Sequence, residues 1–179
     1  MTINDNDIVN AIKDNPEYGF RLLMMKYKKR IYWHIRRIVV RHEDAQDVAQ
    51  EAFVRIFRSC GSCHESKTFS AWVYRIATNE ALRCLSKRRN ETLEIDDNDK
   101  CPLELLADEF VDYGNAEAVK LQNAILRLPA KQQLVFNMRY YDELDYNEIA
   151  QITDSTYHGV KMNYHLAKEK ITEYLKLND

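Results

Sequence analysis

Residues 145–171, DYNEIAQITDSTYHGVKMNYHLAKEKI, decide how the rest of the chain is read. The spacing predicts two helices joined by a tight turn. Asp145 stands where it can cap the first helix, and Glu148 follows three residues on, the separation of a capping box. Ile149, Ala150 and Ile152 supply a short apolar face. Thr153-Asp154-Ser155-Thr156 is a run of side chains whose oxygens compete for nearby backbone N–H groups, so it favours a turn over a helix interior. In the second helix Val160, Tyr164, Ala167 and Ile171 recur at a 4-3-4 spacing, one narrow stripe turned toward the first helix. Tyr157, His158, Lys161, Met162, His165 and Lys168 fall on the remaining face. Such a unit is a candidate DNA reader. Taken alone, it is equally a helical hairpin that only packs.

The chain around this stretch has 179 residues, room for one ordinary domain or two small ones. With 45% apolar and 30% charged residues it is globular rather than disordered. Four glycines and three prolines are too little punctuation for strands joined by tight turns, so the fold class is all-α. The net charge of −2 conceals a segregation along the sequence. Residues 21–41 hold eight Lys/Arg and no acid, whereas residues 91–117 hold ten Asp/Glu and only Lys100 against them. The N-terminus lacks the basic and apolar regions of a secretory signal, and no apolar run approaches the ~18 residues that would span a bilayer. A cytoplasmic protein is expected, with Cys60, Cys63, Cys84 and Cys101 as thiols.

In chain order, residues 5–14 form a short helix. Asn15 as N-cap and Pro16 at the first helical position then open a longer one to about Val40. Phe20, Leu23, Met24, Tyr27, Ile31, Ile35 and Ile38 line its inner side, and the basic residues, with Tyr32 and Trp33 among them, line the outer side. Asp44 to Arg58 is the most regular helix, with Ala45, Val48, Ala49, Ala52, Phe53, Ile56 and Phe57 inward and a polar, acidic opposite face. From Phe69 to Arg89 a further helix turns Phe69, Trp72, Val73, Ile76, Ala77, Leu82 and Leu85 inward. It ends in Lys87-Arg88-Arg89, which suits a helix dipole and equally suits phosphates. Residues 91–117 read as an acidic interdomain linker with a brief helix over 103–110. Helices over 118–128 and 131–141, the second with Leu134, Val135, Met138 and Tyr141 inward, precede the opening stretch and complete a four-helix unit. The domains are thus 1–90, the linker 91–117, and 118–179.

Cys60-Gly61-Ser62-Cys63-His64 has the spacing of c-type haem attachment, and the cysteine pair also suits zinc or redox chemistry. Haem attachment of that kind needs an exported protein, and zinc needs about four ligands where three are local. Incidental loop cysteines are the first reading. No bound metal and no cofactor are expected.

Six segments, in order and with matching spacing, resemble a bacterial RNA polymerase sigma factor of the extracytoplasmic-function group. Residues 44–53, DAQDVAQEAF, are similar to the family's D-A-x-D-x-x-Q-E-x-F helix, and residues 69–79, FSAWVYRIATN, to F-x-x-W-L-x-x-I-A-x-N. Leu128-Pro129, the run from Val135 to Tyr140, and Tyr146-Asn147-Glu148-Ile149-Ala150 follow, and Val160-Lys161 falls where the family has T-V-K. The resemblance covers nearly everything from Phe20 to Leu175.

What it implies is concrete. Asp44, Asp47, Gln50 and Glu51 would dock on the coiled coil of the polymerase's clamp subunit. Lys67, Arg75, Asn79, Lys87, Arg88 and Arg89 would hold the upstream melted promoter element. Extracting a base costs a few kcal/mol, which a shaped pocket and a basic groove offset. The acidic linker would follow the RNA exit path. Tyr157, His158, Lys161, Met162, His165 and Lys168 would meet the minus-thirty-five element in the major groove. Core RNA polymerase, promoter DNA and an anti-sigma factor are the implied partners. Neither a small-molecule substrate nor a membrane-spanning segment is implied, and no catalytic residue is assigned. The chain departs from the family at His158-Gly159, where Gly-Thr is frequent, and at Asn163 and Leu166, where basic residues are frequent. Fewer cations should flatten the salt dependence of binding. Two alternatives belong to other classes: a helix–turn–helix repressor acting without polymerase, and a metal- or thiol-dependent protein built on Cys60, Cys63 and His64.

Overall fold

The computed structural model describes residues 3–60, 69–91 and 115–178, with side chains described to residue 88 in the second segment. Eight helices and no strand occur among the described residues. They are α1 (Asp5–Asp14), α2 (Pro16–Val39), α3 (His42–Ser59), α4 (Phe69–Glu91), α5 (Ala116–Leu126), α6 (Ala130–Tyr140), α7 (Tyr146–Ile152) and α8 (Tyr157–Leu177). None is long and apolar enough to cross a membrane. The helix expected over 103–110 lies outside the described residues, as do Cys63, His64, Lys67 and Cys101.

Local chemistry sets the ends of the elements. The Asn15 side chain accepts from the Tyr18 N–H at 3.2 Å, and Pro16 supplies the fixed φ of the first turn. Gly19 lies where α1 crosses α2. A Cβ there would stand 2.4 Å from the backbone nitrogen of Ile12, so only glycine lets the two helices approach this closely. α2 stops at Val40, whose φ of 67° is a strained value for a β-branched residue.

α2, α3 and α4 pack around Leu23, Tyr27, Ile31, Ile35, Ala45, Ala52, Ile56, Phe69, Val73 and Ala77, all buried. Two inward expectations fail at the rim. Phe57 is 40% exposed and lies edge-on to Phe20 at 4.9 Å, because it sits at the edge of a wide apolar face. Leu82 is 42% exposed. Five residues beyond Ala77 is about 140° around a helix, so Ala81 takes the inward place instead.

The second half has a small core of its own, built from Ala124, Ile125, Leu128, Phe136, Ala167 and Ile171. Val135, Met138, Leu144, Ile149, Ile152 and Val160, by contrast, join the core of the first half. The two halves therefore share one apolar interior. The expected outer basic face of α2 is correspondingly smaller than its sequence suggests. Arg36 is 3% exposed, and Arg37 is folded against the second half with its guanidinium 4.4 Å from the ring centre of Tyr141.

Candidate nucleic-acid interface

The opening stretch folds as its capping residues dictate. The Asp145 carboxylate accepts from the N–H groups of Asn147 and Glu148 at 2.7 and 2.9 Å, and Glu148 accepts from the Asp145 N–H at 2.9 Å. At the other end of α7, Asp154 adopts φ 48° and the Ser155 N–H donates to the Ala150 carbonyl at 3.0 Å. This is a left-handed Schellman ending, and aspartate tolerates it because its short side chain bonds locally. Thr156 then caps α8, its hydroxyl accepting from the Gly159 N–H at 3.1 Å. A Cβ at Gly159 would stand 3.1 Å from that same oxygen, so the glycine leaves room for the cap.

On α8 the buried residues are Val160, Ala167 and Ile171, with Tyr164 half-buried. All six expected contact residues, Tyr157, His158, Lys161, Met162, His165 and Lys168, are exposed together on the opposite side. Met162 is 58% exposed and adds an apolar tip to that side. Two of the six have neighbours on their own helix: His165 pairs with Glu169 at 3.3 Å, and the Lys168 ammonium lies 5.2 Å from the Tyr164 ring centre. Asn163, one of the departures, donates to the Gly159 carbonyl at 2.8 Å and so serves the helix itself.

The first-half set divides. Asn79 and Lys87 are exposed on α4. Asn79 opens onto a cleft of about 330 Å³ that Arg55, Arg58 and Ile76 also line. Arg55 pairs with the buried Glu80 at 2.8 Å. Arg58 was not anticipated as a site residue; its place in the last turn of α3 was the available signal. Arg75 and Arg88 are engaged within the protein. Arg75 donates to both carboxylate oxygens of Asp154 at 2.9 and 3.1 Å, and Arg88 donates to Asp44 at 2.6 Å. Lys67 and the side chain of Arg89 lie outside the described residues.

Of the expected polymerase-facing residues, Asp47, Gln50 and Glu51 are exposed along α3, and Asp44 is the half-buried partner of Arg88. Gln50 borders a broad groove of about 1010 Å³ between α2 and α3. Its floor is apolar, with Met24, Ala49 and Phe53, and its rim carries Lys28, Lys29 and the exposed Met25 and Val54. Polar patterning alone did not identify Met25 and Val54. Their signal was negative: large apolar residues that fall off the core stripes of α2 and α3.

No cluster of three or more His, Cys, Asp or Glu side chains able to hold a metal occurs among the described residues. Cys84 is half-buried, and burial raises its thiol pKa above the ordinary value, with Asp44 adding to the rise. A raised pKa disfavours the reactive thiolate.

The same helices in the same order define a class of protein. The Sigma-70 region 2 family matches residues 23–91, and Sigma-70, region 4 matches residues 118–171. The chain is 28% identical over 177 residues to the ECF RNA polymerase sigma factor SigW of Bacillus subtilis, covering 94% of this chain and 95% of that protein. It is 27% identical over 181 residues to the RNA polymerase sigma-H factor of Pseudomonas aeruginosa, covering 96% and 94%. Its fold matches CnrH, solved in complex with the cytosolic domain of CnrY, at a TM-score of 0.73 and 16% identity, over 98% of this chain and 99% of that one. It also matches the sigma factor RpoE of Bartonella quintana, solved with the anti-sigma factor NepR, at 0.71 and 18%, over 89% and 98%. This chain belongs to the sigma-70 family, in its extracytoplasmic-function group.

Proposed function

We propose that the chain joins core RNA polymerase through α3 and the α2–α3 groove, and then directs initiation by reading two promoter elements. Asn79, Lys87, Arg75 and Arg88 on α4, with Lys67 and Arg89, take the melted upstream element. Tyr157, His158, Lys161, Met162, His165 and Lys168 on α8 take the minus-thirty-five element in the major groove. The observation that carries this reading is the exposure of all six α8 residues on one side of a helix whose other side is buried.

The physical division of labour follows from the side chains. Lysines and arginines contribute sequence-independent attraction to phosphates, while His158 and His165 present ring nitrogens, and Met162 a soft apolar tip, to base edges. The groove between α2 and α3 combines an apolar floor with Asp47, Gln50 and Glu51 alongside, the composition of a protein-binding surface rather than a solvated face. A repressor acting alone has no use for the groove or for the first-half family region. We assign no catalytic step, and place the protein in the cytoplasm with an anti-sigma factor as a further partner.

Reconstitution tests this directly. Purified chain is added to core polymerase, and transcripts are sequenced from a pool of random promoters. Polymerase-dependent transcripts sharing two spaced motifs are expected. Failure to co-elute with core polymerase, or DNA binding unaffected by its presence, would refute the reading.

A further inference from the structure

Between α2, α4 and the connection from α6 to α7 lies a cleft of about 440 Å³, a size that suits a small molecule. Its chemistry is unlike that of the α2–α3 groove. α2 brings Lys26, Lys29, Arg30, Trp33 and Arg37, and their 3-1-3-4 spacing places them along one side of the helix. Tyr74 of α4 and Tyr141 add two further rings.

Ion pairing sorts these cations. Lys26 is bound to Asp5 at 2.8 Å and Arg37 to Asp142 at 2.9 Å. Lys29 and Arg30 are exposed and have no ion pair among the described residues. Tyr74 supplies an independent sign of a ligand. It is 1% exposed and lines the cleft, yet its hydroxyl has no hydrogen-bond partner among the described residues. A covered hydroxyl without a partner costs free energy that a ligand oxygen would recover. Burial pushes the Tyr74 phenol far above its ordinary pKa and Asp142 adds to the rise, while Arg30 and Arg37 oppose it. The phenol therefore keeps its proton and can donate.

Two adjacent cations and a phenol donor suit an anion. Their two charges match a phosphate monoester, which carries roughly −1.5 to −2 at neutral pH, better than a single carboxylate. The rest of the lining fits more than inorganic phosphate. Trp33 is half-buried and offers a rigid ring on which a base can stack. Glu143 borders the cleft and is exposed. It repels a bare phosphate, but a carboxylate accepts from the hydroxyls of a ribose.

We infer that this cleft binds a mononucleotide, its phosphate on Lys29, Arg30 and the Tyr74 hydroxyl and its base against Trp33. The site shares no residue with the α8 face or with the Asn79 cleft, so it does not rest on the promoter reading.

Calorimetric titration of the full chain without polymerase tests this, with AMP as the probe and adenosine and inorganic phosphate as its separate parts. Saturable binding of AMP is expected, roughly tenfold or more tighter than either part alone. Arg30→Ala and Lys29→Ala should each weaken it by roughly tenfold, since a charge-assisted contact is lost. Tyr74→Phe keeps the ring and should weaken it by about three- to tenfold with Tm retained. Lys170→Ala removes an exposed cation of α8 that does not line the cleft, and should leave the affinity unchanged. No saturable binding up to ~1 mM AMP, equal affinity for AMP and either of its parts, or unchanged affinity in Arg30→Ala or in a folded Tyr74→Phe overturns the inference. A single-stranded thymidine oligonucleotide that binds more tightly than AMP and loses its binding in Arg30→Ala would give the cleft to a strand, and that too overturns the mononucleotide.

Discussion

Val160 and Lys161 are neighbours on α8 with opposite surroundings, and this makes them a matched pair for testing the division between scaffold and DNA contact. Val160 is 0% exposed and contributes to the apolar interior shared by the two halves. Replacing it with alanine removes two carbons from a closed site, which costs about 1–3 kcal/mol in transfer and cavity terms together. For a chain of this size each kcal/mol lowers Tm by roughly 2–4 °C. Lys161 is exposed one residue later, and its replacement with alanine should change stability by less than about 0.5 kcal/mol. Under the proposed function its effect is on DNA binding. Loss of one phosphate contact reduces the slope of log affinity against log salt by ~0.9. The assays are thermal unfolding of the free proteins and a salt titration of promoter binding by reconstituted holoenzyme. Val160→Ala should lower Tm and leave the salt slope unchanged; Lys161→Ala should do the reverse. A Lys161→Ala protein that melts as early as Val160→Ala, or binds promoter with the wild-type slope, would refute the placement of this face on DNA.

Gly19→Ala puts a methyl group against the Ile12 backbone nitrogen, so α1 must shift outward. The expected loss is about 1–3 kcal/mol by chemical denaturation, and wild-type stability would show that α1 is not held where the structure places it. Met25→Glu and Val54→Lys alter exposed rim residues of the α2–α3 groove. Each should weaken co-elution with core polymerase while leaving Tm unchanged, and full retention by both would remove the groove from the docking surface. For Cys84 the raised thiol pKa means less thiolate than an ordinary cysteine at any pH below it. Alkylation by iodoacetamide at pH 8 should therefore be slower than that of a free thiol and accelerate as pH rises further. A rate equal to the free thiol would contradict the burial assigned to this residue.

The helices were legible because their signals are local. The capping box at Asp145 and Glu148, Pro16 after Asn15, and the stripe Val160, Tyr164, Ala167 and Ile171 each act within a turn or two of chain, and the structure has all three. The six-residue face of α8 was legible for the same reason, since removing the stripe leaves only the outside. What sequence could not supply was contact at a distance. His34 meets Asp142 across 108 residues and Arg75 meets Asp154 across 79. No periodicity in α2 or α4 marks His34, Arg36 or Arg37 as covered, and counting Arg36 and Arg37 with the outer basic side of α2 was the direct consequence. Phe57 and Leu82 failed for a smaller reason. An apolar residue at the edge of a stripe is inward or rim-exposed depending on the angle at which the neighbouring helix crosses.

α4 carries three kinds of surface around one helix. At about 100° per residue, Val73, Ala77 and Ala81 occupy one arc, and all three are buried. The next arc carries Tyr74 and Thr78, buried as well, where His34 meets the Thr78 hydroxyl and lies 5.0 Å edge-on from the Tyr74 ring. The arc after that carries Arg75 and Asn79, both exposed. Core, contact between the halves and exposed face thus follow one another around a single helix, and the middle arc has features of both its neighbours. It is buried like the core, yet its Thr78 hydroxyl is bonded through His34 to the other half, and burial pushes the Tyr74 phenol well above its ordinary pKa, so it remains neutral there. A threonine hydroxyl, a tyrosine and a histidine are also readily solvated, so exposing this arc to water would cost less than exposing an apolar one. An apolar arc in the same place would resist that exposure and fix the halves together. A polar middle arc fastens the two halves by directional bonds, where an apolar arc would fasten them by burial alone.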